Sequence, residues 1–176
     1  GLTTDSMSVQ VSRFRGNQPQ NTRVEVHAFV PTNKLAAKSG AIPAMVETGF
    51  MILDNARGRI WDQRDTAKVS PTDTRGKLRA FERQFRPGEY YYRVEALEPA
   101  SMASARASGS LSIVSFPVGA FALSDILLGA DLTNPGEQRR REDLNMRVIP
   151  ESAFDPGQAL GLYWEAYGAK PSSEGV

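Results

Sequence analysis

His27 is the only imidazole among the chain's 176 residues, and there is no cysteine. The lack of thiols excludes disulfides, iron–sulfur clusters, thiol catalysis and the usual zinc knuckles. His27 follows Glu25 on the charged side of an alternating run, where an exposed, solvated position is expected. A serine triad would have to combine it with a serine and an acid, but no G-x-S-x-G elbow singles out a serine. Ser124-Asp125 sits inside an apolar run and reads as a turn or strand edge, its side chains bonding locally. The carboxylate pairs Asp62/Asp65 and Glu142/Asp143 invite comparison with glycosidases, which hold two carboxyls across a cleft. Here they adjoin Arg64 and Arg141 and read as solvated ion pairs. Arg139-Arg140-Arg141 could hold a phosphate, yet Glu142-Asp143 follows at once and cancels much of its field, which favours a solvated loop. No acidic calcium loop, Walker loop, Rossmann glycine pattern or H-E-x-x-H helix is present. The expectation is no enzyme: no catalytic residue, no cofactor and no metal.

The aromatic residues are the better clue. Trp61, Tyr91 and Trp164 form the candidate interaction surface, because rings exposed on a β-sheet mark a glycan platform or a protein interface. Buried, the same rings are core, the reading favoured for Trp164; Trp61 fits either.

The elements that would carry these residues are strands. Thr22, Val24, Val26, Ala28 and Val30 alternate with Arg23, Glu25 and His27, the period of a half-buried antiparallel strand. Val9 and Val11 alternate with Ser8, Gln10 and Ser12. A polar segment through Lys38–Gly40 leads to residues 45–67, which read as a hairpin turning at Asp54–Gly58. Lys77–Phe85 is a further strand. Pro87-Gly88 then presets a turn, after which Tyr90, Tyr92, Val94 and Ala96 share one face. In such a strand a tyrosine can bury its ring and return its hydroxyl to the backbone. Pro99–Ser108 reads as a small polar loop, and residues 111–116 as the closing strand. Seven strands in about 110 residues predict an immunoglobulin- or fibronectin-III-like β-sandwich over residues 1–116. Residues 117–176 add strands at Phe121–Leu128, Leu144–Ile149 and Leu160–Tyr167, with a loop over Gln138–Asp143 and a turn at Asp155-Pro156-Gly157. They are too few for a second sandwich and predict part of a second β module.

Composition agrees with a globular domain: 40% hydrophobic, 23% charged and a formal charge of +1. That balance lacks the basic excess of a dedicated nucleic-acid binder. It hides a division, for residues 1–116 carry a net +5 and residues 117–176 a net −4. Opposite signs favour docking of the tail on the body, a bias weakened by salt. No run approaches the roughly 20 apolar residues that cross a bilayer, and the opening GLTTDSMSVQ is not a signal peptide.

Val11-Ser-Arg-Phe-Arg-Gly16, Thr22-Arg-Val-Glu-Val26, Pro87-Gly-Glu-Tyr90 running into Val94-Glu-Ala96, Leu123-Ser-Asp-Ile-Leu-Leu128 and Leu162-Tyr-Trp-Glu-Ala-Tyr-Gly168 carry a resemblance. In this order they resemble the β-repeat region of bacterial extracytoplasmic proteins named for a G-W-x-T-D motif. The naming motif itself is absent, since Gly1-Leu2-Thr3-Thr4-Asp5 has leucine where it has tryptophan. The resemblance implies an extracytoplasmic location, in the periplasm or cell envelope, and further strands after Tyr167, so that the chain is expected to be a piece of a longer protein. It implies no catalytic role.

The combined expectation is an all-β, non-enzymatic structural or protein-interaction module of a larger envelope-associated protein. Its partner would be another protein or a neighbouring domain of the same chain. A carbohydrate-binding module using exposed aromatics is the alternative, and a hydrolase built around His27 or a carboxylate pair the more distant one.

Overall fold

The computed structural model describes residues 4–70, 72–73, 75–130, 146–150, 154 and 156–169. In chain order these form β1 (Thr4–Ser6), β2 (Ser8–Arg15), β3 (Thr22–Val30), α1 (Thr32–Ala37), β4 (Ala44–Leu53), β5 (Arg59–Val69), β6 (Lys77–Phe85), β7 (Gly88–Glu98) and β8 (Ala103–Ile113). Short strands follow: β9 (Ala122–Leu123), β10 (Leu127–Ala130), β11 (Arg147–Val148), β12 (Gly161–Tyr163) and β13 (Ala166–Tyr167). The fold is all-β. The expected loop at Gln138–Asp143, the Arg139–Arg141 run, the Glu142/Asp143 pair and Asp155 lie outside the described residues.

Two sheets make the body, one ordered β1-β8-β7-β4-β5 and the other β2-β3-β6. Alternation decides what lies between them. Val24, Val26, Ala28 and Val30 of β3 meet Val46, Phe50 and Ile52 of β4, Val94 and Ala96 of β7, and Leu111 and Ile113 of β8 in one buried cluster. Phe50 stacks on Phe81 of β6 with ring centroids 5.2 Å apart. At roughly 1.5–3 kcal/mol for each large apolar side chain fully buried, this layer is the main source of stability.

The hairpin is where the sequence places it. Asp54 closes the β4–β5 turn: its N–H donates to the Gly58 carbonyl (2.9 Å), and its Oδ1 accepts the Gly58 N–H (2.7 Å). At the start of β7 the half-buried Tyr90 packs against Phe85 and donates its hydroxyl to the Arg86 carbonyl at 3.0 Å. That is the return to the backbone expected of a tyrosine after such a turn.

Three local readings are corrected. Residues 32–37, just before the expected polar segment, form α1, whose Leu35 is buried in the core; a helix of six residues is too short to show a helical period. The supposed loop Pro99–Ser108 is mostly strand, because β8 begins at Ala103 and pairs with β7 in continuous register from Glu98↔Ala103 to Gly88↔Ile113. Its small residues carry little propensity, and pairing with a long neighbour overrides them. Thr4–Ser6 is a strand as well, parallel to β8.

Glu98 holds the β7–β8 turn. It is 1% exposed, and its Oε2 accepts both the N–H and the hydroxyl of Ser101, each at 2.7 Å. Burial opposes its charge, but hydrogen bonds from Ser101, Ser39 and the Ala100 N–H prevail and hold the carboxyl below the usual carboxylate range. A depressed folded pKa contributes stability above the unfolded value near 4.5, and that stability is lost as pH falls through the folded value. Replacing Glu98 with Gln should therefore cost about 1–3 kcal/mol in urea unfolding at pH 7, by turning an acceptor into a donor beside donors. The deficit should shrink as both proteins are taken to acid.

Candidate interaction face

The outward side of β3 was expected to meet water; instead, it is covered. His27 and Glu25 are each 4% exposed, and Ser12, opposite Glu25 on β2, is fully buried. Described residues of the tail contribute to the cover. Phe14, on this side of β2, is buried in a second apolar cluster with Leu127, Met146, Val148 and Tyr163, and Leu78 of β6 packs against it. β10 lies at the centre of the covering sheet, between β11 and β12. Gly129 allows the close approach there, since an added Cβ would collide with Met146 and lie 2.9 Å from the Arg147 carbonyl oxygen.

Two carboxylates of the tail fix its orientation. Asp125 accepts the Arg13 backbone N–H (2.9 Å) and two guanidinium bonds, from Nε (2.7 Å) and Nη2 (2.9 Å). These bonds raise the Arg13 pKa above its ordinary value, the hydrogen bond to Asp125 contributing most. Glu165 is bonded through both oxygens. Oε1 accepts from Arg23 Nη2 (2.9 Å) and the Tyr163 hydroxyl (2.8 Å), and Oε2 accepts from the Tyr167 hydroxyl (2.6 Å). The Tyr167 oxygen accepts in turn the Arg15 N–H at 2.8 Å, while the Arg15 guanidinium lies 4.3 Å from that ring's centre. The Arg23 guanidinium also approaches Glu25, at 3.6 Å, and His27 Nε2 is 3.9 Å from the other Glu25 oxygen. Among the described residues, both ion pairs that join tail to body run from a carboxylate on the tail to an arginine on the body, the sense that the charge division favours.

This arrangement inverts the usual order of a strand. In residues 160–167, Tyr163, Glu165 and Tyr167 face the sandwich, where the Arg23 guanidinium and the Arg15 backbone N–H meet Glu165 and Tyr167. Leu160, Leu162 and Trp164 alternate with them and are exposed, Trp164 by 53%. Leu162 is paired with Leu128 of β10, and the exposed Leu123 of β9 stands opposite Ala166; Ile126 and Phe121 are exposed too. The tail thus exposes apolar side chains on its outer side while burying Leu127, Met146, Val148 and Tyr163 against the body.

Trp164 is therefore a surface residue and not core. Trp61 lies at the edge of the core, edge-on to Phe50 (5.4 Å) and Phe85 (6.2 Å). Tyr91 lies on the outer face of the large sheet, opposite Ser110 and Leu53, with the Arg57 guanidinium 3.3 Å from its ring centre. The three aromatics occupy three different surfaces and make no common platform. Asp62 and Asp65 point to opposite sides of β5, pairing with Arg59 and Arg79 and not with Arg64. Ser124 does bond locally, to the Asp125 carbonyl (2.8 Å), but Asp125 reaches Arg13 across 112 positions of sequence. The residues that the sequence reading missed, Arg13, Arg23, Asp125 and Glu165, are common charged types; the alternation of Leu160, Leu162 and Trp164 with Tyr163, Glu165 and Tyr167 was the one available signal. The chain matches no protein-family model and no curated protein.

Burial, and then the Glu165 carboxylate, push the Tyr163 and Tyr167 hydroxyls well above their ordinary value of 10.0. A raised folded pKa gives stability that is complete below the unfolded value and lost as pH rises through the folded one. Hydrogen exchange of residues 161–167 and 22–29 is expected to stay slow to about pH 10 after correction for intrinsic rates, then to accelerate together. Tyr167→Phe, which strips partners from the Arg15 N–H and Glu165, should lower stability by about 1–3 kcal/mol at neutral pH.

Proposed function

We propose that this chain is a non-enzymatic structural and protein-interaction module of an extracytoplasmic, envelope-associated protein, and that its tail sheet is the interacting element. One observation carries the reading: Leu160, Leu162 and Trp164 are exposed while Tyr163, Glu165 and Tyr167 of the same extended segment are used against the body. A strand with one apolar face normally buries that face, and contiguous exposed apolar surface marks a contact site. The partner is a further apolar β layer, supplied by a neighbouring domain of the same protein or by another protein. In this arrangement the described part of the tail serves both neighbours, with apolar and salt-bridged contacts inward and apolar contacts outward.

Other observations support the finer parts. The β2-β3-β6 sheet against β8-β7-β4-β5 suits an immunoglobulin- or fibronectin-III-like sandwich, as does the Tyr90 hydroxyl bound to the Arg86 carbonyl. The extracytoplasmic location rests on the resemblance to the β-repeat region of G-W-x-T-D proteins.

Photo-crosslinking in the source cells tests the proposal. A photoreactive residue in place of Trp164 should form an adduct with one neighbouring β module, and one in place of Ser110, exposed on the far sheet, should not. Leu162→Lys should abolish the adduct while leaving the far-ultraviolet spectrum of the purified chain unchanged. Equal labelling from both positions, or none from position 164, would refute it.

A further inference from the structure

A second surface has different chemistry and stands independently of the tail's outer face. At the β2–β3 turn, Gly16 donates its N–H to the Asn21 carbonyl (2.9 Å), and the Asn21 N–H donates to the Gln18 carbonyl (2.9 Å). The turn is tight enough that a Cβ on Gly16 would come within 2.6 Å of the Asn21 carbonyl oxygen. Beside it, at the end of β6, lies an open groove of about 490 Å³ lined by Asn17, Gln18, Asn21, Glu82, Arg83 and Gln84. Four of the six are amides. Three are held in place from within: Gln84 Oε1 accepts the Asn17 N–H at 3.0 Å, and Gln18 Oε1 accepts Asn21 Nδ2 at 3.2 Å.

Those bonds leave the amide nitrogens of Gln84 and Gln18, the oxygen of Asn21, the Asn17 side chain and the Glu82 carboxylate to face solvent around one groove. We infer that this groove is a binding site for a neutral, polyhydroxylated chain, an oligosaccharide. A hydroxyl both donates and accepts, and vicinal hydroxyls pair with the planar two-atom ends of amides and carboxylates. The open form suits an extended ligand better than an enclosed small molecule. Glu82 disfavours phosphate, sulfate and uronate, and the one cation in the lining, Arg83, carries its guanidinium 5.7 Å from the ring centre of Trp61. The ligand is held by hydrogen bonds and without an aromatic platform, so binding is weak.

A titration of the isotope-labelled chain with neutral hexasaccharides of glucose, mannose and N-acetylglucosamine, followed by amide and side-chain NMR signals, tests this. With at least one sugar, shifts should be confined to residues 16–21 and 82–84. Gln84→Ala should weaken that binding roughly three- to tenfold, the worth of one or two hydrogen bonds. Glu82→Ala, which disturbs no bond within the chain, should do the same and covers the case in which Gln84→Ala loosens the turn. Absence of shifts in this region with all three sugars at 10 mM would overturn the assignment. So would shifts confined to the tail sheet, or a preference for oligogalacturonate over every neutral sugar.

Discussion

The carboxylate of Glu165 determines which way the tail faces. It gathers Arg23, Tyr163 and Tyr167 around its two oxygens, and through the Tyr167 hydroxyl it reaches the backbone of β2. Charge-assisted hydrogen bonds of this kind are directional, and leaving one partner buried alone is costly. The extended segment 160–167, in which Glu165 joins β12 to β13, can therefore turn only one side to the body. Because side chains alternate, the other side, with Leu160, Leu162 and Trp164, must face out. A polar requirement inside thus produces an apolar surface outside.

The same interaction changes the character of β3. Its inner side belongs to the main core, and its outer side, with Arg23, Glu25 and His27, lies under the tail; the strand is enclosed on both faces. A layer of this composition adds specificity of orientation more readily than net stability, since desolvation offsets much of what ion pairs return. The apolar cluster around Phe14 supplies the attraction, and Asp125 and Glu165 set the register. The two parts answer different needs.

Much of the body was legible in the sequence. The hairpin at Asp54–Gly58, the alternation of β3 and the Tyr90 hydroxyl turned to the backbone follow from local patterns that local geometry satisfies. What was not legible depended on distant partners. Arg23, Glu25 and His27 read as a solvated face because alternation reports polarity and not what lies above it; the cover comes from residues about 140 positions later. Trp164 reads as core because a tryptophan among leucines usually is, and the claim of Arg23 on Glu165 turns the segment the other way. The small residues 103–108 read as loop for want of propensity, and pairing with β7 made them strand.

The emission of Trp164 reports the orientation of residues 160–167. The chain has two tryptophans, so a Trp61→Phe variant reports on Trp164 alone. In the dilute, isolated chain an outward Trp164 gives red-shifted emission that acrylamide and iodide quench freely, while hydrogen exchange at residues 22–29 stays slow. Blue-shifted emission protected from both quenchers would place Trp164 inside the fold and refute this orientation.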